Sequence, residues 1–294
     1  MRRSDWVRLL VLGALWGGSF IFLRVIAPVL GAVTTAGLRV GIGGLAFLPY
    51  FAVIRFHPRW RAHWVHYLVG GLVNIAAPML LFSYAAVHIP ASYSVIINSS
   101  TPLFGTVLSA VFLSDRLTVR SVAGLVLGMC GVALVASDGT GREASTQFWA
   151  GIAACLLAAV CYALSGVYTK RFAPDVPPLG MAGCSLLLAG LVILPFWVVD
   201  RPQVEVTVPL ALNVLALAIP CTTVGFLLYF RLISDVGPAR AMTVALLTPV
   251  FGVVWGVLFL DEVVTWPIVG GCLLVIGSTA LVLLKKARPA LVSA

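Results

Sequence analysis

Few residues in this 294-residue chain could do chemistry on another molecule, and they stand singly inside long apolar runs. Arg39, Asn74, Tyr84, Asn98, Tyr162 and Thr243 are the polar side chains of most weight, with Trp16 as a flat apolar surface among them. Their chemistry is recognition. An amide both donates and accepts hydrogen bonds, a guanidinium only donates, and an aromatic face stacks on a flat ligand or holds a cation. The sequence shows no Gly-rich phosphate loop and no His/Cys set at metal spacing. Its six cysteines lie in apolar runs without a CxxC pair, as small hydrophobes do. No catalytic residue, metal or cofactor is expected.

Amides and ions are costly in hydrocarbon, so they face a bundle interior or a wet cavity. Asn74 and Asn98 gain weight from the prolines that follow them. Pro78 removes the hydrogen bond to the Asn74 carbonyl and Pro102 the one to the Asn98 carbonyl. Amide and released carbonyl together could accept from an ammonium and donate to a carboxylate. Pro102 and Pro249 are candidate hinges. Arg39 has two readings, snorkelling to an interface or meeting a substrate carboxylate. Serines and threonines, Thr222 and Thr223 among them, more often bond back to their own helix and count for less. All ten acids sit at the ends of apolar runs or between them. That leaves no mid-membrane proton carrier and no counter-ion for a cationic substrate.

The elements that must hold these residues follow from composition. Apolar residues make up 61% and charged residues 10%, against about 25% charged in a soluble domain, too little to cover a water-wetted globule. A bilayer span needs about 20 apolar residues. Ten runs qualify: 7–27, 34–55, 64–87, 91–113 and 119–137, then 148–170, 178–199, 208–233, 239–260 and 265–284. The first is read as a retained membrane helix rather than a cleaved signal. The net charge of +9 comes from short tails and turns, with no basic stripe for nucleic acid. Fifteen of the nineteen Lys and Arg fall on one side if both termini are cytoplasmic, which fixes that orientation. Between the runs there is no room for a water-exposed catalytic domain.

Sliding the chain by 147 residues against itself exposes a repeat. TPLFGTVLSAVFLSDRLT (101–118) meets TPVFGVVWGVLFLDEVVT (248–265), and 14 of the 35 positions from Thr101 to Val135 are identical. Two units of five spans, 1–147 and 148–294, are expected. An odd number of spans inverts the second unit relative to the first, the construction of many secondary transporters. Tyr162 lies one residue from the repeat mate of Trp16, so the symmetry would set the two on opposite walls of a central cavity. The expected class is an all-α polytopic membrane protein of ten transmembrane helices in two inverted five-helix repeats.

Leu15-Trp16-Gly17-Gly18, Leu38-Arg39, Leu113-Ser114-Asp115 and Leu260-Asp261-Glu262, in this order and spacing, resemble the drug/metabolite transporter superfamily, EamA-type branch. The resemblance covers essentially the whole chain. It implies export of amino acids or other small metabolites from a cavity lined by spans 1, 3, 4, 6, 8 and 9, with spans 5 and 10 peripheral. The members that export aromatic and other neutral amino acids look most similar. The expected function is a secondary transporter of small neutral metabolites in the inner membrane. The alternative class is a lipid flippase or an integral-membrane enzyme, although the His57, His63 and His66 group has no acid partner nearby. Glycine pairs at Gly13/Gly17, Gly37/Gly41, Gly124/Gly128 and Gly252/Gly256 permit close helix packing, within a monomer or across a weak homodimer.

Overall fold

The computed structural model describes residues 2–138, 145–199 and 204–283. Among these no strand occurs. In chain order the helices are α1 (Arg3–Leu30), α2 (Ala32–Val53), α3 (Trp60–His88), α4 (Ala91–Leu113) and α5 (Val119–Asp138). They continue with α6 (Thr146–Phe172), α7 (Pro178–Val199), α8 (Val208–Val236), α9 (Val244–Leu260) and α10 (Trp266–Leu283). Nine are long and apolar enough to cross a bilayer, and α9 is the shorter tenth. Several extend a turn beyond their apolar runs, because helix ends continue into the polar interface. Arg142, Arg201 and the cluster Lys285, Lys286 and Arg288 lie outside the described residues.

The repeat is written into the packing. α2 packs on α7 and α5 on α10, each helix against its own mate. α1 packs on α9, and the mates of that pair, α6 and α4, pack likewise. α3 against α6 is matched by α8 against α1. Even the chain reversals recur. Ser114 and Asp261, repeat mates at the ends of α4 and α9, both adopt left-handed backbone at φ 57 and φ 52. The next N–H closes each reversal, Asp115 onto the Ser109 carbonyl and Glu262 onto the Gly256 carbonyl, in the six-to-one bond that ends many helices.

Close crossings set the helices in place. A Cβ on Gly17 would fall 2.8 Å from the Gly252 nitrogen and the Thr248 oxygen, so α1 and α9 touch backbone to backbone there. The glycines of α5 face α10 in the same way. The small-residue stripes are used inside the chain.

Three local departures from α-helix shape the centre. Gly71–Ala76 in α3 and Ile219–Val224 in α8, almost in repeat register, wind as single π-helical turns. Pro220, without an N–H, lies inside the second, and the Thr222 and Thr223 hydroxyls donate to the Leu217 and Ala218 carbonyls five residues back. α4 breaks at Ser99 and Ser100, which separate Ala91–Asn98 from Thr101–Leu113. The consecutive hydroxyls of Ser99, Ser100 and Thr101 donate to the Val95, Ile97 and Asn98 carbonyls. So the Asn98 carbonyl, expected to be open to a ligand, is taken by Thr101 at 2.7 Å. Pro102 becomes the second residue of a new half-helix, where a missing N–H is harmless. Its mate Pro249 lies inside an unbroken helix.

Ten passes bring the start of α1 and the end of α10 to one end of the bundle, here called the terminal end. At the distal end α4 is packed into the bundle. Ala91–Ile97 of α4 is buried throughout, and its first turn is capped by Glu262 from beyond α9. At the terminal end α4 stands off, with only Leu103 buried between Thr101 and Leu113.

Candidate functional site

Between the repeats lies a cavity of about 340 Å³. α1 contributes Trp16, Ser19 and Phe20, and α3 contributes Asn74, Met79 and Phe82. Asn98, Ser99, Thr101 and Pro102 come from the break in α4, Tyr162 from α6, and Cys221, Thr222, Phe226, Tyr229 and Phe230 from α8. Met242 and the first turns of α9 complete the wall, with Arg39 of α2. The cavity runs from buried Phe20 and Phe82 to Tyr229, Phe230 and Met242 in the terminal half, and Met242 is 39% exposed. It opens toward the terminal end.

The structure brings together Trp16, Arg39, Asn74, Asn98, Tyr162 and Pro102. Three other expected residues fall outside. Tyr84 is 38% exposed, its ring 4.6 Å from that of His88. It sits two residues from Phe82, about 200° around the helix, on the face away from the cavity. Thr243 lies in the turn before α9, its hydroxyl donated to the Arg240 carbonyl. Pro249 is buried in α9 and does not line the cavity.

Two aromatic groups make the walls. Trp16 lies 5.2 Å from Tyr229 and 6.2 Å from Phe226, and Phe226 stacks on Phe230 at 6.3 Å. The indole reaches α8 because residue 225 is glycine. A Cβ there would fall 2.6 Å from the Trp16 Nε1. Across the cavity Phe82 stacks with Tyr162 at 6.1 Å and meets Phe20 edge-on at 5.3 Å. The α8 wall escaped sequence reading, although Phe226, Tyr229 and Phe230 recur at i, i+3 and i+4, the spacing of one helix face.

The polar groups divide sharply. Ser19, Ser99, Thr101, Thr222 and Thr248 all donate their protons to backbone carbonyls of their own helices, which leaves only lone pairs for a ligand. Arg39 is 6% exposed and does not snorkel. Its Nε donates to the Thr222 hydroxyl at 3.0 Å. Thr222, which sequence reading discounted as a residue bonded to its own helix, does that and also holds the arginine. Among the lining residues Arg39 is the sole formal charge. The Asn98 Oδ1 is buried without a protein partner. No group of three His, Cys, Asp or Glu able to hold a metal occurs among the described residues. The arrangement has the room and the groups to hold a flat molecule and orient its polar end; its lining residues include no paired nucleophile and base.

The EamA-like transporter family matches the chain twice, over residues 6–137 and 149–284. An uncharacterized transporter of Bacillus subtilis (strain 168), YvbV, is 29% identical over 92% of this chain and 89% of its own. A probable amino-acid metabolite efflux pump of Escherichia coli (strain K12) is 24% identical over 90% of each. A solved crystal structure superposes with a TM-score of 0.68 at 20% identity, over 98% of this chain and all of that one. That likeness concerns the fold.

Proposed function

The chain belongs to the EamA-like transporter family, and from that membership we propose that it exports small neutral metabolites, aromatic and large apolar amino acids first. It is a multi-pass membrane transporter. The observation that carries the finer reading is the cavity itself: aromatic walls on two sides, one arginine and two amides, and no carboxylate among its lining residues. An apolar amino acid needs apolar walls for its side chain and a few placed polar groups for its ends. The relative named a probable amino-acid metabolite efflux pump supports the same class.

In this reading residues 1–147 and 148–294 are the two moving units, and both termini face the cytoplasm from the inner membrane. The cavity then opens inward, ready to load. Exchange of the two conformations between the repeats gives alternating access, with the α4 break at Pro102 and the helix around Pro249 as hinges. One copy of the chain holds the whole cavity, so a monomer suffices and a weak homodimer is compatible. The test is efflux of a labelled amino-acid panel from proteoliposomes. Saturable movement of the aromatic and large apolar members is expected. If no member leaves faster than from protein-free liposomes while the protein stays folded, the reading is wrong.

A further inference from the structure

We propose that the cavity selects its substrates by a single carboxylate seated on Arg39, so that it takes monocarboxylates with a flat apolar body, whether or not they carry an ammonium. This rests on the export reading above, narrows it to a carboxylate-led recognition and extends it to acids without an ammonium.

The seat is built before any ligand arrives. Thr222 Oγ1 donates to the Leu217 carbonyl at 2.9 Å, so toward Arg39 it can only accept, and it takes the Nε proton at 3.0 Å. That bond fixes the plane of the guanidinium. The two terminal nitrogens find no protein acceptor among the described residues, and they are not sealed off; they border the cavity. A guanidinium held in this way presents a planar pair of donors, which a carboxylate matches with two parallel bonds.

Charge narrows the class further. No Asp or Glu lines the cavity, and a charge in a low-dielectric site is costly until it is matched. One anionic oxygen pair balances Arg39. A phosphate dianion would leave one negative charge against aromatic walls. The repeat offers no second seat either, because the mate of Arg39 is Leu186, fully buried. A dicarboxylate would have one end unpaired.

The other end of a zwitterion meets weaker chemistry. The lining serine and threonine hydroxyls offer lone pairs only, and the other polar groups, Asn74 and the Tyr162 and Tyr229 phenols, are neutral. An ammonium gains a neutral contact there, whereas the carboxylate gains a charge-assisted pair. Recognition is therefore led by the acid end. Between the two, Trp16 and Phe226 on one side and Phe82 and Tyr162 on the other hold a flat ring, in a space of about 340 Å³.

The experiment is equilibrium binding of labelled L-phenylalanine and labelled 3-phenylpropionate to the purified full-length protein in lipid nanodiscs, with phenethylamine and phenylsuccinate as competitors. The acid without an ammonium should bind within about ten-fold of phenylalanine. The amine without a carboxylate, and the dicarboxylate, should be weaker by about 10- to 150-fold, the range of a lost charge-assisted bond. Arg39→Gln should lose both acids by a similar factor, and Arg39→Lys should recover only part, since an ammonium cannot form the fork. Phenethylamine competing as well as 3-phenylpropionate overturns the inference and leaves amino-acid export standing. Wild-type affinity for both acids in folded Arg39→Gln overturns it too. Binding of 3-phenylpropionate without phenylalanine upholds the seat and removes the amino-acid reading; binding of neither removes both. If the Arg39 variants do not fold, the wild-type order of competitors decides by itself.

Discussion

Replacing Glu262 by Gln should loosen the packing of α4 at the distal end of the bundle. The Glu262 carboxylate accepts from the Ala91 N–H at 2.6 Å and from the Ser92 N–H at 3.1 Å. Both donors belong to the first turn of α4, where no intrahelical acceptor exists and the helix dipole favours an anion. Ala91 and Ser92 are each 2% exposed, so water does not readily replace the carboxylate. Gln keeps one acceptor oxygen and turns an NH2 toward the other N–H. One charge-assisted bond becomes neutral and one buried donor is stranded, a loss of about 2 kcal/mol, or roughly 30-fold in the balance between packed and unpacked forms of the α4 start. Hydrogen exchange of the amides over residues 91–98 reads this directly and should quicken by about that factor. Asp115, the repeat mate of Glu262, supplies the control. In this conformation Asp115 pairs with Lys170 in an exposed bridge, worth about 0–1 kcal/mol, so Asp115→Asn should leave exchange over 91–98 unchanged. Unaltered exchange in Glu262→Gln would show that the carboxylate does not hold the start of α4 in place.

Other outcomes follow from the same geometry. Gly17→Val should destabilise the fold by about 1–3 kcal/mol or more through overpacking at the α1–α9 crossing, seen as a lower thermal midpoint in detergent. Pro102→Ala should leave stability nearly unchanged, since Pro102 starts a half-helix, whereas Pro249→Ala adds a hydrogen bond inside α9 and should slow transport more than it weakens binding; equal transport in both variants would contradict this. With no Asp, Glu or His among the lining residues, the rate of transport should not respond to an imposed pH gradient, and a gradient-driven accumulation of substrate would count against the account.

The fold was largely legible in the sequence because a bilayer leaves so few choices. Each span must satisfy its own backbone and be long enough to cross, so ten apolar runs become ten helices, and the 147-residue register carries through to the matched reversals at Ser114 and Asp261. Parts of the site were legible for a related reason: Arg39, Asn74 and Asn98 are too costly to face lipid. The remainder depended on facing and partnership. Phe226, Tyr229 and Phe230 look like any lipid-facing aromatics until α1 is packed against them. Tyr84 is polar enough to suggest a cavity residue, yet the helical turn from Phe82 carries it outward. Thr-Pro occurs identically at 101–102 and 248–249, but only the first follows a helix break, because two serines precede it to take up the open carbonyls.

If substrate sits in the mid-membrane cavity between the repeats, as proposed, affinity must fall in Asn98→Ala and Tyr162→Ala. Asn98 lines the cavity at the break in α4 and Tyr162 forms part of its aromatic wall. Titration of the purified variants with the best-transported amino acid should show affinity reduced by about 5- to 150-fold for the lost amide, the range for about 1–3 kcal/mol, and a clear loss for the missing ring, with thermal midpoints that show both variants folded. Wild-type affinity in both folded variants, for every transported substrate, would place the site elsewhere.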